Sequence, residues 1–421
     1  MNARVVLALA VTASAALPPC RAAATPQDSA LTRAKALLRE VPLIDGHNDL
    51  PWEMRTRAGA SFDSLDIARP QPGLMTDIAR LRQGGVGAQF WSTYSPGDIG
   101  VGAARVGMEQ GDIVHRMVER YPDAFEMAGT ADDIVRIHRA GKVASMLGLE
   151  GGHMIENSLG LLRAFYRDGV RYMTLTHNVN TDWADAAADT LRHGGLTRFG
   201  EEVIREMNRL GMLVDLSHVS DSTMWDVLRV TQAPVIYSHS SSRHFVPHLR
   251  NVPDDIARAV GENGGVIMVT FVPEFISPAA HQWGLRQDSV ARHFRATLAE
   301  AAAARDSVAA WTRANPIPRP DIGVVADHIE YLRDVAGVDH VGLGSDFDGI
   351  SATPVGLEDV STFPALLAEL IRRGWSDGDV KRVAGLNLLR VMRQAERVAA
   401  RLQKERPAST ATIEQADGLK K

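Results

Sequence analysis

The chain has 421 residues, 45% of them hydrophobic and 23% charged, which is ordinary globular composition. That length allows two domains but also suits a single large strand–helix barrel. A formal net charge of −5 with no basic block argues against nucleic acid as a partner.

Residues 1–24 read as a removable export signal. Arg4 precedes the apolar run Val5–Leu17, and Ala22-Ala23-Ala24 offers a small-residue cleavage site. The run is too short for a stable membrane span, and no later stretch reaches the required length. A lipid anchor through Cys20 fits less well, because Pro18-Pro19 stand directly before it. Cleavage after Ala24 takes the formal charge to −7 and removes the only cysteine. The mature chain, expected in the periplasm or the medium, then has no disulfide. Any dimer must be noncovalent, and any metal must be held by His, Asp and Glu.

A helix-prone lead, Leu31–Glu40, is followed by the strand of Val41–Leu50 (VPLIDGHNDL). His47 and Asp49 are separated by one residue there, so in extended chain they leave the strand end on one side. Next come a helix at Leu74–Gln83 and a strand at Val86–Tyr94, then helices at Gly107–Arg120 and Ala131–Ala140. Lys142–Leu149 is the third strand, ending in Glu150-Gly151-Gly152. Leu159–Asp168 is amphipathic, and Val170–Thr176 is a strand ending at His177. Helix Arg198–Leu210 leads to strand Met212–Leu216 with His218 beyond it. Helix Asp221–Arg229 leads to strand Pro234–Ser238 with His239 next. Helix Asp254–Glu262 precedes strand Gly265–Phe271, and helix Val324–Val335 precedes strand His340–Leu343, which ends in Gly344-Ser345-Asp346-Phe347-Asp348-Gly349.

Eight short apolar strands alternating with helices predict a (β/α)8 barrel, with a doubly wound open sheet as the rival. The polar residues decide between them. His47/Asp49, Glu150, His177, His218, His239 and Asp346 lie at strand ends, and only a closed ring brings those ends to one mouth. Residues 25–403 form this domain. Within it, residues 273–320 read as a helical insertion with an Ala-rich run Asp288–Trp311, placed to overhang the mouth or merely to decorate the surface. C-terminal helices are expected at Leu366–Arg373, Asp377–Ala384 and Leu386–Leu402, and residues 404–421 read as a disordered polar tail.

A neutral imidazole and a carboxylate aimed at one spot are ligands for zinc or a similar ion. Two ions held close together need a bridging carboxylate, terminal histidines and an open position for water. Glu150 suits the bridge, since Gly151 and Gly152 let backbone pass close to a crowded site. His218 and His239 suit the terminal places, standing in parallel contexts (VDLSH and VIYSH). As alternatives, Glu150 starts a helix, the histidines are loop residues, Arg250 is a surface arginine and Asp346 merely pairs with it. Asp348 competes with Asp346. Asp45, Asn48 and Trp52 suit supporting places. His153 and His244 sit near the mouth, and the other histidines, His248 included, read as ordinary.

The segments IDGHNDLPW at 44–52, LEGG at 149–152, YMTLTHN at 172–178, DLSHVS at 215–220, SHSS at 238–241, RNVPDD at 250–255 and GLGSDFDG at 342–349 resemble the membrane (renal) dipeptidases. These are dinuclear zinc peptidases of the amidohydrolase-like barrel group. The resemblance spans nearly the whole expected barrel and implies two zinc ions per chain. His47 and Asp49 would bind one, His218 and His239 the other, and Glu150 both. It implies that His177 polarises the scissile carbonyl, that Arg250 grips the substrate carboxylate and that Asp346 carries a proton to the leaving amine. The implied reaction is attack of a metal-bridged hydroxide on small dipeptides, those with a C-terminal D-residue included. The alternative is the same metal site acting on a non-peptide amide, lactam or lactone; a catalytically dead binding protein would require a lost ligand, and none is lost. The chain departs from the mammalian members in having neither an anchor signal at its C-terminus nor a cysteine after residue 24.

Overall fold

The computed structural model describes residues 26–298 and 300–418, so the expected export segment lies outside the described residues. Nine strands form one parallel sheet: β1 Leu43–Asn48, β2 Val86–Tyr94, β3 Phe125–Met127, β4 Val143–Glu150, β5 Val170–Thr174, β6 Leu213–Asp215, β7 Ile236–Ser240, β8 Val266–Val269 and β9 Val341–Leu343. The order β2-β1-β9-β8-β7-β6-β5-β4 closes on itself, because β2 pairs with β4 from Ala88↔Ala144 to Tyr94↔Glu150. This closure excludes the open sheet and makes the (β/α)8 barrel. The extra strand β3 pairs only with the first residues of β4 and is too short to show a period in sequence.

Side chains alternate across each strand, and the two hydrophobic clusters follow that alternation. Ile44, Phe90, Met146, Tyr172, Ile236 and Met268 belong to one cluster, whereas Leu43, Trp91, Leu147, Met173, Tyr237 and Ile267 belong to the other, which runs out among the helices. Stepping by two along the first set leads from Phe90 to Ser92, from Met146 to Glu150, from Tyr172 to Thr174, from Leu213 to Asp215 and from Ile236 to Ser238. Apolar columns therefore end in polar groups at the C-terminal mouth. Gly148 lies on the β4 column, and a Cβ there would fall 2.2 Å from the Tyr172 ring. Its absence lets Tyr172 lie across the barrel beneath the mouth.

The C-terminal helices Phe363–Arg372, Asp377–Lys381 and Asn387–Glu405 pack on the barrel as expected, but the last two are joined by a π-helical turn, Arg382–Leu386. Gly385 sits where a Cβ would strike the Pro42 carbonyl oxygen, so this turn seats directly under β1. Among the described residues no helix is long and apolar enough to cross a membrane.

Two expectations need correction. The Ala-rich run Asp288–Trp311 is not one helix: Pro278–Thr297 and Ala301–Ala314 fold back on each other. Trp283 packs 5.9 Å from Trp311 and donates to the Asn315 carbonyl, and Gln287 donates to Thr312. A single straight helix would leave both tryptophans in water. The tail is not disordered where described. Ser409 joins the buried Glu206 and Arg163, Ile413 is buried, and helix Ile413–Asp417 starts with a capping box at Thr412. Polar composition hid this, because the segment docks mainly through hydrogen bonds and one apolar anchor.

Candidate metal centre

Five donor side chains meet at the mouth of the barrel. Glu150 Oε1 lies 3.1 Å from His218 Nε2 and 3.6 Å from His239 Nε2, while Oε2 lies 3.5 Å from His47 Nε2. His47 Nε2 is 3.2 Å from Asp49 Oδ2. The two oxygens of one carboxylate thus face two different sets of ligands. Among the described residues the donors fall into three overlapping close groups: His47, Glu150 and His239; Glu150, His177 and His218; and His47, Asp49 and Asp346.

The imidazoles are held from behind. Ser238 Oγ donates to Asp215 Oδ2 at 2.6 Å and so accepts from His239 Nδ1–H at 2.8 Å. His218 Nδ1 meets the Asn178 amide oxygen at 3.2 Å, and His47 Nδ1 meets the Tyr172 hydroxyl at 2.8 Å. Asp215 also accepts from Thr174 and from the Ser217 and Ser238 backbone N–H groups. With Nδ1–H spent on Asn178 and Ser238, the Nε2 lone pairs of His218 and His239 face each other 3.1 Å apart. Two lone pairs at that distance repel unless a cation takes both. The spacing is near the roughly 3.3 Å that two nitrogens adopt around a tetrahedral zinc. His47 Nε2 is buried without a hydrogen-bond partner. A divalent ion fits this donor set, and the partners behind the rings are those that orient metal-binding histidines.

The electrostatics agree. Burial pushes the Glu150 carboxyl up, but the imidazoles around it, His47 foremost, hold it well below the usual range. Burial holds His218 and His239 well below ordinary imidazole values, so both stay neutral and can ligate. Burial disfavours charge on His47 too, yet Tyr172, Glu150 and Asp49 raise it well above the usual value. The negative field of Glu150 and Asp49 also attracts a metal cation.

All of the other expected site residues line one cavity of about 700 Å³ above these donors. His177 faces it, 3.8 Å from Glu150 Oε1, with burial and then Arg250 lowering its pKa against Glu150. Arg250 is buried and only loosely held, at 3.4 Å from Ser240 Oγ and 3.3 Å from the His239 carbonyl, with Nε unpartnered. Burial lowers it to about 10. Asp346 is raised to about 7, first by burial and further by Asp49 and Glu150, against His47 and Arg250. Asp348 Oδ1 instead accepts from Met75 N at 2.6 Å, so of the two aspartates only Asp346 joins the His47–Asp49 group. His218, Asp346 and Asp348 all have positive φ, near +65°, at a cost of about 1–3 kcal/mol each.

Among the supports, Asp45 receives Ser345 and Gln89, Asn48 bonds Thr76 and caps Leu50, and Trp52 lines the cavity edge-on to Tyr94. His153 is bonded to Ser95 and His244 stacks on Tyr331, and neither belongs to the donor groups. The sequence alone does not mark Tyr172, Asn178, Asp215, Ser238 or His248 as site residues. Asp215 and Ser238 occupy matching places before the two histidines, a signal that the parallel motifs contained.

Buried imidazoles and carboxylates at the C-terminal mouth of a parallel barrel define a metal-dependent hydrolase of the barrel type. Comparison with known proteins narrows this. The family model for membrane dipeptidase (peptidase family M19) matches residues 31–406. Dipeptidase verJ of Clonostachys rogersoniana is 42% identical over 387 residues, 89% of each chain. The chain belongs to the membrane dipeptidase family and is a metallopeptidase of the dipeptidase class. In fold it is similar to the probable dipeptidase PvdM from Pseudomonas aeruginosa, with TM-score 0.78, 23% identity, and coverage of 88% of this chain and 99% of that one. It is also similar to a metallo peptidase from Rhodobacter sphaeroides liganded with a phosphinate mimic of L-Ala-D-Ala, with TM-score 0.68, 22% identity, and coverage of 84% and 99%.

The hydrogen bonds converging on Asp215 give a direct test. Asp215→Asn should weaken metal binding about 10–100-fold in a chelator competition, because Ser238 would lose its acceptor and the His239 tautomer its lock. An unchanged affinity would show that Asp215 serves the fold alone.

Proposed function

We propose that this chain holds two zinc ions, bridged by Glu150, and hydrolyses small dipeptides, including those with a C-terminal D-residue. The observation that carries this reading is the division of donors about Glu150: Oε1 toward His218 and His239, Oε2 toward His47 beside Asp49. Nitrogen and carboxylate donors without a thiolate suit zinc. When bound, a pair of such ions supplies Lewis acidity and a water acidic enough to attack near neutral pH.

The chain's own groups supply the rest. Arg250 is a buried guanidinium with unspent donors, and a substrate carboxylate offers it the bidentate partner it lacks. His177, kept largely neutral by burial, turns its ring to the cavity where a carbonyl oxygen gains charge. Asp346, with its carboxyl near 7, takes and returns a proton at little cost around neutrality, which suits transfer to a leaving amine. The C-terminal D-residue is supported by the Rhodobacter sphaeroides structure with its L-Ala-D-Ala mimic.

Hydrolysis of L-Ala-L-Ala, L-Ala-D-Ala and their C-terminal amides tests this. Stripped protein should be inactive and regain activity with zinc. Asp346→Asn should lose roughly 10²–10⁴-fold in kcat, and the amides should be poor substrates through a raised KM. Zinc-independent cleavage, or equal use of the amides, would contradict the reading. The proposal includes export, resting on Arg4, Val5–Leu17 and Ala22–Ala24. N-terminal sequencing of protein from the medium or periplasm should begin at Thr25, whereas an intact Met1 would refute it.

A further inference from the structure

A second cavity of about 330 Å³ adjoins the metal mouth, and the two share His248, Phe275 and Gly349. The partition between them is a stack of rings. His248 lies 4.3 Å from Phe275 and 5.3 Å from His281, its Nδ1 accepts from Arg250 N at 3.1 Å, and the Arg250 guanidinium sits 5.3 Å over the Phe275 ring. The far wall is the inserted helix Pro278–Thr297, which presents His281, Leu285 and Asp288 at the i, i+4, i+7 spacing of one face. Gly284 on that face leaves room for Glu274, whose Cγ would lie 3.3 Å from a Cβ there. Glu274 is half-buried and Asp288 stands at the rim, and neither has a cationic partner among the described residues.

The position of this chamber says which part of a substrate reaches it. Arg250 and Asp346 flank the shared wall, through His248 and Phe275 on one side and Gly349 on the other. In the dipeptidase reading, on which this inference rests, Arg250 takes the substrate carboxylate and Asp346 the leaving amine. Both groups belong to the C-terminal residue. Its side chain therefore faces the second chamber. Val272, Leu285 and Ile350 offer an apolar path, and Glu274 and Asp288 offer unneutralised acceptors beyond it. An aliphatic stem carrying a cationic head matches this order, and an acidic side chain would meet two like charges.

We propose that the insertion builds a specificity subsite for the C-terminal residue, selecting long cationic side chains such as lysine or ornithine. The test compares L-Ala-L-Lys with L-Ala-L-norleucine, which has a comparable aliphatic chain without the charge, and uses L-Ala-L-Ala as internal reference. The zinc-loaded enzyme should favour the lysine peptide roughly tenfold or more in kcat/KM. In Glu274→Gln/Asp288→Asn that ratio should fall to about 1, and Asp288→Lys should shift preference toward L-Ala-L-Glu. A ratio near 1 in the native enzyme, or one that survives the double substitution, overturns the subsite. Phosphinate mimics of the two dipeptides, titrated by calorimetry, separate this from failure of the reaction reading. If no dipeptide is cleaved but the lysine mimic still binds about tenfold tighter, the subsite stands and the reaction reading fails. Equal binding of both mimics overturns the subsite.

Discussion

A single buried carboxylate, Glu150, governs the rest of this structure. It sits at the end of β4 with imidazoles around both oxygens, in a setting where an uncompensated charge would be costly. The rings of His47, His218 and His239 are each tied from behind to a hydroxyl or an amide, so their ligating nitrogens cannot turn to other partners. The barrel is what makes this possible. Parallel strands end together, and stepping by two along each one converts an apolar column into a polar tip at a common mouth. Gly148 clears the space for Tyr172, Tyr172 holds His47, and His47 faces Glu150, so one missing Cβ deep in the barrel helps to set the site's geometry.

Much of this is readable in the residues because barrel chemistry concentrates at strand ends. A histidine or acid directly after a short apolar run has little to do with packing, and several such residues in order constrain topology as well as function. That is why His47, Asp49, Glu150, His177, His218, His239 and Asp346 can be nominated before any coordinates, whereas Arg250 is nominated only through the family resemblance of its motif. The choice between Asp346 and Asp348 is different. Both share the same motif and left-handed backbone, and only the Met75 N–H bond assigns Asp348 to the loop.

What is not readable depends on partners remote in sequence. Asp215 looks like the last residue of a strand, and its role appears only when Thr174 and Ser238 converge on it. His248 looks like a loop histidine until Phe275 stacks on it and His281 packs against it in a T-shaped contact. The insertion's composition promised one long helix, whereas the pairing of Trp283 with Trp311 folds it into a hairpin and brings its first helix to the mouth. The polar C-terminal segment carries too little apolar surface to advertise that it docks, yet Glu206, Arg163 and Ile413 anchor it. In each case the local pattern is weak and a long-range contact decides.

The most direct measurement is a crystal structure of zinc-loaded protein with anomalous data collected at the zinc edge. The account predicts two peaks, one beside each oxygen of Glu150, with His218 and His239 on one and His47 and Asp49 on the other. A single peak, or two peaks grouping the ligands differently, would contradict the division of donors from which the functional reading follows.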